Sequence, residues 1–269
     1  WSPSGNPTLR FHLKGRTRLA LFHRGNNTMK ITGIVIFKNE AQYFLKESLQ
    51  SFARLCDEII AVDTGSVDNS SEIAQNSSPK VKVVYHKQSS DKNKQYGDIK
   101  NWAVKNFATG DYVFSFDADE VLDDDYFQIR KQLEDRPDIE CWSIKGRHYY
   151  WHLNKEDNQV AEHWWHCRLF KNNSIITYPA GKAHGLPSGF KTHAHLVGFF
   201  VHHYGYCKNV CADIWRYTMN WDALEIQTPE YLNEWLRMRL AGTFPVKEVS
   251  LDVHPQIIKD KFHFSMLVK

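Results

Sequence analysis

From Met29 to about residue 125 the sequence alternates short β-branched runs with segments of helical apolar spacing, an order that few folds accept. "ITGIVIF" is a continuous apolar run, the pattern of a strand buried on both faces. "NEAQYFLKESLQSFARLC" then carries Ala41, Phe44, Leu45, Leu49, Phe52 and Leu55 at helical spacing. "EIIAVD" reads as a second strand, closed by the turn cluster "TGSVDNS". "SSEIAQN" predicts a short helix and "KVKVVYH" a third strand. "IKNWAVKNFATG" predicts a helix with Trp102, Ala103 and Phe107 on one side and Gly110 as its stop, and "DYVFSF" a fourth strand. Strands and helices joined by short links require right-handed crossovers, so the expected fold is α/β with a Rossmann-like, mostly parallel sheet.

After about residue 140 the pattern changes. "CWSIKGRHYYWHL", "HWWHCRLF", "SIITYPA" and "HLVGFFVHHYGY" read as antiparallel or mixed strands, rich in aromatic residues and histidine. Residues 209–241 have helical spacing, and "VKEVSLDVHPQIIKDKF" reads as loop with a short final helix. The expectation is one continuous domain, with a parallel half at 29–125 and a mixed-sheet half with C-terminal helices at 126–269. Residues 1–28 stand apart: Arg10, Lys14, Arg16, Arg18 and Arg24 occur with no acid before Glu40. They read as a leader or expression scar ahead of a natural start at Met29, or as a basic arm for a polyanion.

Composition sets outer bounds. Hydrophobic content of 42% and charged content of 24% are ordinary for a globular chain, and a net charge of +3 permits an anionic partner without demanding one. No run approaches the roughly 18 apolar residues of a membrane span, and the N-terminus lacks the apolar stretch of a secretory signal. Cys56, Cys141, Cys167, Cys207 and Cys211 are odd in number and scattered. Reduced thiols in a cytosol-like compartment are the expectation.

The fourth strand ends in "FSFDADEVL", which places Asp117, Asp119 and Glu120 directly after an apolar run. Desolvated carboxylates at a strand end are costly unless something positive joins them. In open parallel sheets ligands sit outside the carboxyl ends of the strands, and Asp63 and Asp117 both fall on that edge. Asp117 and Asp119, two positions apart, point to the same side if the segment is extended. Such a pair suits a hard divalent ion that keeps its other positions for phosphate oxygens and water. The same residues also read as an exposed acidic turn capping a helix near Asp123.

Three blocks in order, "ITGIVIFKNEAQYFLKESLQSF", "IIAVDTGSVDNSSEIA" and "KNWAVKNFATGDYVFSFDADEVL", resemble glycosyltransferase family 2, of GT-A fold. The later "RLFKNNSIITYPAGKAHG" and "VHHYGY" look like further blocks of its small bacterial and phage members. The resemblance implies that 29–125 binds a nucleotide-sugar, with a UDP-sugar the common donor, and that 126–269 holds the acceptor. It implies transfer to a hydroxyl with Mn²⁺ or Mg²⁺, with inversion. It implies that Phe37, Lys38 and Asn39 line the base and that Asp63 hydrogen-bonds base or ribose. Ser66 and Asp68 shape the adjoining turn, a place where they equally well cap the next helix. Lys100, where the family often has Arg, reaches base or phosphate. The resemblance further implies that Asp117 lies near ribose and metal, that Asp119 is the direct metal ligand and that His203 is the late histidine ligand. The family's His-Glu pair after "RLF" reads Ala183-His184-Gly185 here, so the base is left among His184, Glu162 and His163, and Arg168 is either a phosphate ligand or a structural ion pair.

Other readings compete. His202, His203, Cys207 and Cys211 permit a zinc site. A nucleotidyltransferase would use the same carboxylates, yet "FKNEAQ" has no glycine to cradle a triphosphate. A nucleic-acid-binding module without catalysis would use the basic arm and the aromatic second half. Within the transferase reading the acceptor is a saccharide such as a lipopolysaccharide glycan, or a hydroxymethylated base of phage-type DNA held by "RHYYWHL" and "HWWH".

Overall fold

A computed structural model describes residues 29–87, 96–157, 165–179, 186–208, 237–238, 241–243 and 245–262. The parallel half forms as its pattern requires. Strand β1 (Ile31–Phe37) is followed by helix α1 (Leu45–Ala53), strand β2 (Glu58–Asp63), helix α2 (Ser70–Ser77), strand β3 (Val81–Tyr85), helix α3 (Tyr96–Phe107) and strand β4 (Tyr112–Ser115). These strands lie in the order β4-β1-β2-β3, every neighbour parallel. The order reverses direction at β1, so a crevice opens between the carboxyl ends of β1 and β4. Register places Phe37 beside Asp63 and Ile34 beside Ser115.

One face of this sheet packs on α1 through Leu45, Leu49 and Phe52, and Phe52 stacks on Phe116 with centroids 3.8 Å apart. The other face gathers Ile34, Ile60, Val62 and Phe170 with Ile99 and Ala103 of α3. Helical spacing predicts a helix from about Asn39, but residues 40–44 form a turn and α1 starts at Leu45.

The second half extends the same sheet. Strand β5 (Glu120–Leu122) leads into a 3₁₀ turn at Asp124–Phe127, which Asp123 caps by accepting from the Asp124 amide, and into helix α4 (Gln128–Asp135). Strand β6 (Cys141–Tyr150) pairs antiparallel with β8 (Trp165–Lys171), which pairs antiparallel with β4. Short strands β7 (Lys155–Asp157) and β10 (Val246–Glu248) continue the edge beyond β6. The long strand β9 (His193–Tyr206) runs parallel to β6 and antiparallel to β5. A bulge interrupts it: Ile144 pairs with Leu196 but Gly146 pairs with Val201, with Gly198 in the left-handed region at φ 92°. A 3₁₀ turn (Leu251–Val253) and helix α5 (Gln256–Phe262) close the described chain.

"SIITYPA" does not form the expected strand. Asn173 Oδ1 accepts from the amides of Ile175 and Ile176, and Asn101 Oδ1 accepts from the amide of Tyr178. With those donors satisfied by side chains, the segment keeps a single bridge, Thr177 to Ser188. The helical reading of 209–241 falls almost wholly outside the described residues, as do 1–28. No helix among the described residues is long and apolar enough to cross a membrane.

Candidate active site

The crevice is walled on one side by the loops after β1 and β2. Asn39 adopts a left-handed φ of 56°, its amide donates to Ser66 Oγ at 3.1 Å, and its Oδ1 accepts from the Val67 amide at 2.9 Å. Asp68 accepts from the Ala41 amide and from the Ser70 amide and hydroxyl. The two loops are thus lashed together. Asp63 is buried, and its carboxylate accepts from the Gly65 amide (2.9 Å), the Ser66 amide (2.7 Å) and the Ser71 hydroxyl. Burial raises its pKa, but the bonds from Ser71, Ser66 and Gly65 outweigh burial and hold the carboxyl below its usual value. Asp63 therefore shapes the wall by fixing its turn. Lys38, next along from Phe37, is half-buried.

The acidic segment turns where extended geometry was expected. The Glu120 amide donates to Asp117 O at 3.0 Å, and the Asp117 amide donates to Glu120 Oε2 at 2.8 Å. Ser48 of α1 holds the same corner by donating to Asp117 O at 3.2 Å. Asp117 and Asp119 consequently meet different partners. Asp117 faces Arg168 at 3.3 Å and Lys100 at 4.0 Å. Glu120, fully buried, binds the Arg168 guanidinium. Burial pushes the Glu120 carboxyl up to about 8, against the pull of Arg168. Burial depresses the Lys100 ammonium, which also sits 5.1 Å above the Tyr178 ring, while Asp117 opposes that shift.

Asp119 instead faces strand β9. His203 Nε2 lies 3.5 Å from Asp119 Oδ1 and the Lys208 ammonium lies 3.0 Å from Oδ2. Strand alternation separates the two adjacent histidines, as their sequence implies. His203 points to Asp119 and His148, whose ring lies 4.6 Å from its own. His202 points into the core, bonding the Tyr149 hydroxyl through Nδ1 at 2.9 Å. Tyr204 also faces that side and bonds His254 Nδ1 at 2.8 Å, while His254 Nε2 donates to Leu153 O. Burial lowers the pKa of His148, His202 and His254, the last to about 4.

Asp119 and His203 are the pair of donor groups here that could hold a divalent ion. A Cβ on Gly205 would lie 2.7 Å from His203 Nε2 and 2.9 Å from Asp119 Oδ2, so glycine keeps space beside both donor groups. Asp119 and His203 fit an ion there, whereas Asp117 is turned to the basic side of the crevice. Among the described residues no three carboxylate, imidazole or thiol side chains converge on one point. Of the zinc candidates, Cys207 donates to Tyr149 O, His202 and His203 diverge, and Cys211 lies outside the described residues. The base candidates Glu162, His163 and His184 also lie outside them. A cavity of about 480 Å³ lined by Phe44, Trp151, Leu153, Cys207 and Phe262 adjoins the Tyr204 side of β9.

Sequence reasoning missed Lys208 and Glu40. Their ion pair spans 168 residues, and only the fold brings them together. Glu120 and Arg168 had a visible signal, since a buried strand-end acid requires a cation.

The profile described as Glycosyl transferase family 2 matches residues 32–195. No curated protein matches the chain. Among solved structures, the chain is similar to S. aureus TarS 1-349 in complex with UDP-GlcNAc, at 15% identity and a TM-score of 0.49, covering 79% of this chain and 72% of that one. It is similar to S. aureus TarS at 16% identity and a TM-score of 0.49, covering 88% of this chain and 44% of that one. Mannosyltransferase PcManGT from Pyrobaculum calidifontis in complex with GDP-Man and Mn²⁺ is 20% identical with a TM-score of 0.38, covering 45% of this chain and 37% of that one.

Proposed function

The chain belongs to glycosyl transferase family 2, and from that premise we propose that it moves a sugar from a nucleotide-sugar, a UDP-sugar, to the hydroxyl of a glycan acceptor with inversion. The observation that carries this is the joining of two halves at one strand end. Strand β4 delivers Asp117 and Asp119 into the crevice, and β8 and β9 bring Arg168 and His203 to meet them. The donor base lies against the wall formed by Phe37, Lys38, Asn39 and the turn that Asp63 and Ser66 hold. Lys100 and Arg168 are buried cations beside Asp117 and supply positive charge toward a phosphate or ribose.

Asp119 and His203 would hold the divalent ion, Mn²⁺ or Mg²⁺, whose chemistry is to neutralise the diphosphate as it leaves. The acceptor proton goes to a base on 158–164 or 180–185, for which Glu162, His163 and His184 are the candidates. A glycan is favoured over a flipped DNA base because Tyr149 and Tyr150 of "RHYYWHL" are buried in stacks with Tyr204 and Tyr206.

Thermal-shift screening of nucleotide diphosphates and sugar nucleotides, with Mn²⁺ and with chelator, tests the donor site because binding energy adds to stability. A Mn²⁺-dependent shift with one nucleotide, lost in Asp119→Ala, is expected. No shift with any nucleotide would remove the donor-site assignment. Salt-sensitive DNA binding with transfer to hydroxymethylated DNA would replace the glycan acceptor.

A further inference from the structure

Lys208 is an unusual neighbour for a carboxylate that is to hold a metal. Its side chain is 2% exposed, and its ammonium lies 2.6 and 2.8 Å from the two oxygens of Glu40 and 3.0 Å from Asp119 Oδ2. The ring of Tyr43 lies 4.9 Å away. Glu40 follows Asn39 on the loop after β1, and its amide donates to Ser70 Oγ at 2.7 Å. A single buried ammonium thus links the nucleotide-side loop to the acidic segment.

An ammonium and a divalent ion at Asp119 repel each other as like charges, and the corner beside Gly205 faces the same Oδ2 that Lys208 engages. The surroundings give Lys208 somewhere else to go: Glu40 already holds it by two oxygens at the shorter distances. It can leave Asp119 without becoming an unpaired buried charge.

We propose that Lys208 is the resident counter-ion of Asp119, that it competes with the divalent ion for this carboxylate, and that ion binding shifts it wholly onto Glu40. This rests on the reading of Asp119 and His203 as the ion's donors. The competition makes Lys208 a positioning residue that sets ion affinity, and it makes Glu40, which touches neither ion nor sugar in this scheme, a residue that favours ion binding.

The decisive measurement is Mn²⁺ affinity without any nucleotide, read from the free-ion paramagnetic resonance signal and by calorimetry. Four full-length proteins are compared: wild type, Lys208→Met, Glu40→Gln and the double variant, each first checked for a native circular dichroism spectrum. Lys208→Met keeps the length and removes the charge, and should tighten Mn²⁺ binding about tenfold or more. Glu40→Gln removes the alternative partner, and should weaken Mn²⁺ binding about threefold to tenfold. In the Lys208→Met background Glu40→Gln should change affinity by less than about twofold, because its effect runs through the lysine. A merely structural ion pair would instead lower affinity, or leave it unchanged, in both single variants. Should Lys208→Met misfold, Lys208→Gln takes its place, with tighter binding expected there and unchanged or weaker binding overturning the proposal. Asp119→Asn separates the two readings. If it abolishes Mn²⁺ binding while Lys208→Met leaves it unchanged or weaker, only the competition fails. If Asp119→Asn binds Mn²⁺ like wild type, or no variant binds it, the ion site fails and the competition with it.

Discussion

The two halves of the sheet bring opposite charges to one crevice. The parallel half contributes Glu40, Asp117 and Asp119, and β5 adds Glu120, all on or beside strand ends. The mixed half contributes Arg168 from β8, His203 from β9 and Lys208 just after it. Lys100 is the parallel half's own cation there. Neither half is electrostatically comfortable alone, since a buried carboxylate or guanidinium without its partner is strongly destabilising. Completing the domain and assembling the site are therefore one event, and charge balance across β4 and β8 couples them.

The sharpest break in that balance is Arg168→Met. It leaves Glu120 fully buried without its cation, and should cost about 3–5 kcal/mol in urea unfolding. Adding Glu120→Gln should restore most of the loss, and an equal loss in the double variant would show that the guanidinium matters for packing alone. Asp119→Asn tests the acidic half through function. It should lower donor turnover about 100- to 1,000-fold while the far-ultraviolet spectrum stays native. Wild-type turnover would mean that the acidic half does not use this carboxylate.

Acid should open the mixed half first, because it keeps His148, His202 and His254 neutral by burial. His254 titrates near 4 when folded, against an ordinary 6.5. The unfolded chain therefore binds the proton first as pH falls below 6.5. Stability is full above that value and declines down to about pH 4, by up to ~3 kcal/mol from this group. Urea midpoints between pH 7.5 and 4.5 should show the decline, with a shallower slope in His254→Gln. An identical slope would assign the acid sensitivity elsewhere. The smallest effect belongs to the parallel half. Ser71→Ala removes one of the donors to Asp63 and should cost about 1 kcal/mol, read as a lower melting temperature.

The halves also differ in how far the sequence discloses them. β1 to β4 were legible because continuous β-branched runs alternate with amphipathic segments, and the strand-end rule then put Asp63 and Asp117 on one edge of the sheet. That rule located Asp63 without revealing that its oxygens are engaged by its own turn, which depends on Ser71 folding back from α2. "SIITYPA" has the apolar pattern of a strand, but the side chains of Asn173 and Asn101 hold its amides and prevent pairing. β5 was hidden because three residues carry no measurable period. Lys208 was hidden because a lysine near a chain bend has no local signature, and its meaning comes from Glu40 and Asp119 far away in sequence.

The bulge in β9 has a consequence best expressed as parity. Before it, the even-numbered Ala194 and Leu196 pack on the main core; after it, the odd-numbered Phe199 and Val201 do. The interruption thus exchanges even for odd along one strand, and the side chains from Phe199 to His203 inherit the new phase before a second register shift ahead of Tyr206. His203 meets Asp119 and His202 meets Tyr149 because of a count made several residues upstream. Gaining or losing residues in pairs between Leu196 and Val201 would leave that assignment intact. A single-residue change that the bulge did not absorb would hand Asp119 the histidine now buried and send its present partner inside. The spacing of this short stretch, more than the identity of its residues, decides which imidazole the site receives.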